Sequence, residues 1–360
     1  MTKLKISESL VNYVKKSYVS DDDSNLPVIE LDCALGINPF GCSEGVKEEL
    51  AEVEDSSHYP KYPYSQTLSA LSSFWSRISP VKPANFRMYA GSVAALDAIC
   101  RIFARGGAIV TGFSPQFTAF ESCVISNGGL YETVKLAENP NYKFDENKLL
   151  EAIDERHSLV YIDNPNNPTG QVISLAQIEE ILKKTDEMGI AVLVDEAYAD
   201  YIEDNESAIA LLNKYNNLLV VRSFSKGYGL AGLRVGYAVC CEELQHYLRK
   251  VSLPFTVASR NAKVAVRALM DQDFIEYTRR EVSKIKSKML SELKKLEVLE
   301  TDPRTPIMAL KDTSGDNLYE KLLKKGVLAV FGPEVGLDRQ FVRLRIHQQY
   351  DKLIEILNSI

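Results

Sequence analysis

Four histidines in 360 residues, far apart and in no ligand spacing, exclude a histidine-built metal centre. The six cysteines (Cys33, Cys42, Cys100, Cys123, Cys240 and Cys241) contain no C-x-x-C pair. That excludes a zinc ribbon or a dithiol redox motif and fits free thiols in a cytoplasmic protein; no metal is expected. No apolar run reaches the ~18 residues of a membrane span, and residues 1–6 form no hydrophobic signal region, so no membrane partner is expected. Nor is there a Lys/Arg block. The 42 basic residues are scattered among 49 acidic ones, for a net charge of −7. Runs such as Lys284-Ile-Lys-Ser-Lys288 read as a solvated helix face, which argues against nucleic acid as a partner. Repeats and low-complexity segments are missing too, apart from Asp21-Asp22-Asp23, which reads as a flexible turn.

What is present suffices for a large α/β core and a smaller second domain, with 45% hydrophobic residues. From residue 45 to 250, short apolar runs alternate with helical stretches, the pattern of a parallel-sheet domain. From 251 to 360 a charged amphipathic helix, expected near 274–296, leads into short strands near 305–310 and 341–346. That reads as a smaller α+β domain, and residues 1–44 are expected to join it.

The densest chemistry lies in residues 223–236. Lys226 stands among small residues, with Ser223 and Ser225 before it and Arg234 eight positions after it. A lysine amine can hold an aldehyde as a Schiff base, while hydroxyls and a guanidinium can bind a phosphate dianion. The set points to a phosphorylated aldehyde cofactor, pyridoxal 5′-phosphate. The same letters also spell the dinucleotide fingerprint Gly227-x-Gly229-x-x-Gly232, after the apolar run 218–221. A plain structural turn is a third reading, and this stretch alone leaves all three open.

Other segments supply partners. The unalternating run 191–194 reads as a strand buried on both faces, and it ends in Asp195-Glu-Ala-Tyr198. A carboxylate at the carboxyl end of a parallel strand lies at the crevice where open α/β sheets bind ligands. Placed against a pyridine nitrogen, it keeps that nitrogen protonated and the ring electron-accepting. A second such run, 159–162, precedes Asp163-Asn-Pro-Asn-Asn-Pro-Thr-Gly170, a rigid loop from which Asn167, with Tyr198, can donate to the cofactor's phenolic oxygen. Gly91-Ser92-Val93 opens an apolar helical run whose N-terminus suits phosphate. Phe117 offers a face to stack on the ring. Taken singly, these would be an acidic cap, a turn, a capped helix and a core aromatic.

In this order the segments resemble the fold-type I pyridoxal phosphate-dependent aminotransferases. The closest branch is similar to the histidinol-phosphate aminotransferases and threonine-phosphate decarboxylases. The likeness covers almost the whole chain, from Gly36-Ile-Asn-Pro-Phe-Gly41 and His58-Tyr59-Pro60 through the motifs above. It implies an α/β fold: a large domain with a mostly parallel central sheet flanked by helices, plus a smaller α+β domain. It implies catalytic roles for Lys226, Asp195 and Tyr198. Cofactor binding then falls to these three with Gly91, Ser92, Val93, Phe117, Asn167, Ser223, Ser225 and Arg234. It also implies that Tyr59 reaches the partner subunit's cofactor, and hence a homodimer with shared active sites acting on an amino acid and a 2-oxo acid.

The substrate end departs from the family. The family pairs a late arginine with the substrate carboxylate, and here Phe341-Val-Arg-Leu-Arg-Ile-His347 offers Arg343 and Arg345, with Arg343 the better match. Alternation puts Arg343, Arg345 and His347 on one strand face. The branch also carries an arginine for substrate phosphate at the end of G-[IV]-x-[VI]-R. The matching stretch here, Gly326-Val-Leu-Ala-Val330, ends in valine. With Asp32, Asp163, Arg345 and His347 near the site, the expectation is an aminotransferase of an unphosphorylated, basic amino acid. The alternatives are an oxygen-dependent, arginine-type amino-acid oxidase, a histidinol-phosphate aminotransferase, or a pyridoxal phosphate-dependent decarboxylase.

Overall fold

The computed structural model describes residues 4–11, 13–15, 27–52, 55, 57–136 and 140–360. The triple aspartate at 21–23 lies outside them. A seven-stranded sheet runs in the order Phe86–Tyr89, Gly236–Cys240, Leu218–Ser223, Ala191–Asp195, His157–Asp163, Ile109–Ser114, Leu130–Lys135. Gly236–Cys240 is antiparallel to both neighbours, and every other pairing is parallel.

The unalternating apolar runs are explained by burial on both sides. Along Ala191–Asp195 and Leu218–Ser223 every residue is buried. Period-two geometry then sorts the side chains. Val160, Ile162, Val192, Val194 and Val220 enter one core with helix Leu175–Glu187, while Leu159, Tyr161, Leu193, Leu219 and Val221 enter the other with helix Ser92–Phe103. After residue 250 the chain first returns to this sheet, for Ala262, Val264 and Leu269 of helix Ser259–Met270 pack into the first of these cores.

A second, antiparallel sheet has the order Val330–Phe331, Phe341–Arg345, Ile307–Asp312, Leu296–Val298. Val282, Ile285 and Met289 of helix Gln272–Glu292 share a core with its Met308, Leu310 and Leu344. Leu31–Asp32 pairs in parallel with Val327–Leu328, which carries the N-terminal segment onto this unit. The two units are tied at Gly170, whose carbonyl accepts from the Thr305 hydroxyl at 2.9 Å and the Asp302 amide at 3.1 Å. No described helix is long and apolar enough to cross a membrane.

Candidate active site

Asp163 and Asp195 are register partners at the carboxyl ends of adjacent parallel strands, and Ser223 ends the strand beyond. These ends open on one cavity, whose wall includes Asp163, Asp195, Tyr198, Ser223, Ser225 and Lys226. The same wall takes in Ser92, Val93, Phe117, Asn167, Arg234 and Arg343. Segments spread over 250 residues of sequence thus meet because strand ends and the loops after them share one edge of the sheet.

Burial drives the Lys226 amine down to about 7, helped by the guanidinium groups of Arg343 and Arg234 and opposed by Asp195. An amine of that kind is a nucleophile and a base at neutral pH. Asp195 moves the other way. Burial pushes its carboxyl up to about 6, partly offset by hydrogen bonds from the Ala197 amide at 3.0 Å and the Tyr161 hydroxyl at 3.1 Å. A cation placed against Asp195 would restore its carboxylate, so the site favours a protonated ring nitrogen there. Burial likewise pushes Asp163 up to about 7.

At the other end stands a set suited to a dianion. Helix Ser92–Phe103 begins beside Gly91, whose φ of 85° favours glycine and where a β-carbon would overlap the Arg234 guanidinium. Arg234, itself left-handed at φ 53°, donates to the Ser225 hydroxyl at 3.2 Å and the Ala231 carbonyl at 2.8 Å. Guanidinium, hydroxyls and a helix N-terminus match a phosphate. A lysine, a strand-end carboxylate and a phosphate cradle in one cavity fit pyridoxal 5′-phosphate. The dinucleotide alternative does not fit. Gly227 to Gly232 opens no α-helix, and the chain runs on through a short 3₁₀ turn into the antiparallel strand Gly236–Cys240.

Arg343 is buried, donating to Asn167 Oδ1 at 3.2 Å and to the Ala34 carbonyl, while its Nε has no partner. The remaining substrate candidates lie outside the cavity wall. Arg345 spends its donors on the backbone carbonyls of Asp32, Leu35 and Ile346. Asp32 Oδ1 accepts from the Ala34 amide at 2.9 Å. His347 Nδ1 accepts from the Gln349 amide at 3.0 Å, and burial with the Arg345 charge lowers its pKa. Tyr59 is 82% exposed, its ring 5.1 Å from that of Phe255, and it lines no part of its own chain's cavity. Two contributors were missed from sequence. Gly36 lines the cavity, and a β-carbon there would overlap the Tyr198 hydroxyl. Tyr161 reaches Asp195 from the neighbouring strand. The unalternating 159–162 run gave no signal for a polar partner.

A family model described as aminotransferase class I and II matches residues 29–357. The chain is 31% identical over 326 residues to histidinol-phosphate aminotransferase 2 of Archaeoglobus fulgidus, covering 90% of this chain and 91% of that protein. It is also 31% identical over 332 residues to a putative threonine-phosphate decarboxylase of Caldanaerobacter subterraneus subsp. tengcongensis, covering 90% and 88%. Among solved structures, histidinol-phosphate aminotransferase from Sinorhizobium meliloti in complex with pyridoxal-5′-phosphate superposes with a TM-score of 0.78 at 22% identity, covering 92% of this chain and 91% of that one.

These relatives overturn the expectation of an unphosphorylated, basic substrate, and with it the oxygen-dependent oxidase, because the relatives named here are enzymes of phosphorylated substrates. The inference from Val330 gave too much weight to one position. Val330 lies directly across the antiparallel pair from Arg343, so a buried guanidinium still stands on that face.

Proposed function

The chain belongs to the class I and II aminotransferase family, and from that premise we propose that it is a pyridoxal 5′-phosphate-dependent histidinol-phosphate aminotransferase. The observation that carries the proposal is Arg343: a buried guanidinium in the wall of the Lys226 cavity with one N–H unpartnered. It supplies charge for the substrate phosphate in one half-reaction and for the carboxylate of a 2-oxo acid in the other. The A. fulgidus relative supports this substrate, and the S. meliloti structure supports the cofactor.

When bound, the cofactor supplies an aldehyde carbon and a ring that accepts the electron pair left by a departing proton. Lys226 would hold that aldehyde, and its amine, once free, would take the proton from the carbon bearing the substrate amine. An amine poised near 7 can take that proton and return it within one cycle. Asp195 would keep a proton on the ring nitrogen, while Asn167 and Tyr198 would donate to the ring oxygen. Ser92, Ser225 and Arg234 would hold the cofactor phosphate, and Phe117 would offer its face to the ring. By the resemblance, Tyr59 serves the partner subunit's site, which makes the enzyme a homodimer with shared sites. Its free cysteines support a cytoplasmic location.

The test is product identity. Histidinol phosphate with 2-oxoglutarate should give glutamate and the corresponding phosphorylated ketone. The decarboxylase relative supports a second reading, and threonine phosphate discriminates it. Carbon dioxide release from threonine phosphate, without glutamate from histidinol phosphate, would replace the aminotransferase reading.

A further inference from the structure

Asp163 is fully buried yet belongs to none of the roles above. Its Oδ2 accepts the backbone N–H of Asn167 at 2.9 Å and that of Phe117 at 3.3 Å. Its Oδ1 accepts from the Asn166 side-chain amide at 3.0 Å, and the same amide donates to the Pro115 carbonyl at 3.1 Å. Phe117 follows strand Ile109–Ser114, and Asn167 follows strand His157–Asp163. One carboxylate oxygen therefore fastens two loops from neighbouring strands, each at the residue that contributes to the cavity wall. The chain of contacts continues, for Asn167 Oδ1 accepts from Arg343.

We propose that Asp163 is a positioning residue that sets the separation between Phe117 and Asn167, and through Asn167 the placement of Arg343. The ionised carboxylate suits the task because it has acceptors only, and both loop amides and the Asn166 side chain are donors. Two amides sharing one oxygen lie within a fixed distance of each other, so the ring-facing aromatic and the loop donor move together. An alanine would remove the oxygen that the Phe117 and Asn167 amides share and leave the loops untied. The proposal rests on the cofactor part of the proposed function, not on the choice of substrate.

The test compares Asp163→Ala with Asp163→Asn. The asparagine oxygen can still accept both amides, whereas its nitrogen would face the Asn166 amide. In cofactor-free protein, hydrogen exchange followed by mass spectrometry should show the Phe117 and Asn167 amides exchanging at least about tenfold faster in Asp163→Ala. They should stay near wild type in Asp163→Asn. Cofactor titration should give a dissociation constant raised about tenfold to a hundredfold in Asp163→Ala and restored to within a few-fold in Asp163→Asn. If Asp163→Ala does not fold, Asp163→Ser takes its place, its hydroxyl falling short of both amides. Unchanged exchange in the alanine or serine variant overturns the clamp whatever the cofactor is. So does equal loss in Asp163→Asn, whose oxygen still accepts both amides. Faster exchange with unchanged cofactor affinity overturns only the link to the cofactor.

Discussion

The Tyr161 hydroxyl donates to Asp195 Oδ2 at 3.1 Å, from a strand paired in parallel with the one that Asp195 ends. Tyr161 is fully buried, its ring stacked on Phe120 with centroids 3.8 Å apart, so the donor is fixed. This bond lowers the Asp195 carboxyl against the larger upward push of burial.

Replacing Tyr161 with phenylalanine therefore raises the Asp195 pKa above about 6. The working form is the carboxylate, which is lost as pH falls through the pKa. In cofactor-free protein the acid limb of pyridoxal 5′-phosphate binding should therefore move to higher pH. An unmoved acid limb would separate the two residues functionally.

The Lys226 amine makes a second pH prediction. Only the free amine attacks an aldehyde, and in the folded protein it appears as pH rises through about 7. Reconstitution of cofactor-free protein with pyridoxal 5′-phosphate, followed by stopped-flow absorbance, should speed up across that range and flatten by about pH 8. A rate still climbing near pH 10 would place the lysine in its ordinary range.

Gly36→Ala tests how closely the N-terminal segment approaches the site. The new methyl would overlap the Tyr198 hydroxyl and come within 3.1 Å of the Lys226 amine. Cofactor affinity and kcat should each fall about tenfold or more, while the melting temperature changes little. Wild-type kinetics would mean that Tyr198 has room to move without cost.

The legibility of this site divides along the same line. The Lys226 segment, the Asp195 strand end and the 163–170 loop were legible only as a set, each written in consecutive residues, and the fold brings all three to one cavity. Gly36 and Tyr161 were not, since their contributions depend on which side chains meet across strands and segments, a property of register. Alternation put Arg345 on the same face as Arg343, and only the motif favoured Arg343. Only the fold shows one guanidinium in the cavity wall and the other occupied by carbonyls of the 32–35 segment and of Ile346. The sheet itself was readable from its unalternating apolar runs. The return of helix Ser259–Met270 to the large core was not, because amphipathicity does not say which sheet a helix covers.

Lys286 supplies a stability prediction. It is fully buried, and its ammonium meets only neutral oxygens: Thr301 Oγ1 at 2.5 Å, the Asp302 and Ile307 carbonyls at 2.7 Å and Thr305 Oγ1 at 2.9 Å. Lys286→Met would strip these buried acceptors of their donor and loosen the loop that grips Gly170, costing about 3 kcal/mol or more. Burial holds the folded pKa well below the 10.5 of the free amine, so the unfolded chain binds the extra proton across that interval. Wild-type stability should therefore rise with pH toward that upper limit, and the variant should lose this slope. Urea denaturation at two pH values reads both effects; equal slopes would contradict the assignment.

The most direct measurement is kcat/KM for histidinol phosphate against unphosphorylated histidinol, with 2-oxoglutarate as acceptor and glutamate as the readout. A guanidinium that binds the phosphate predicts a preference of about a hundredfold or more for the phosphorylated substrate. Equal turnover of the two, or turnover of histidinol alone, would contradict it.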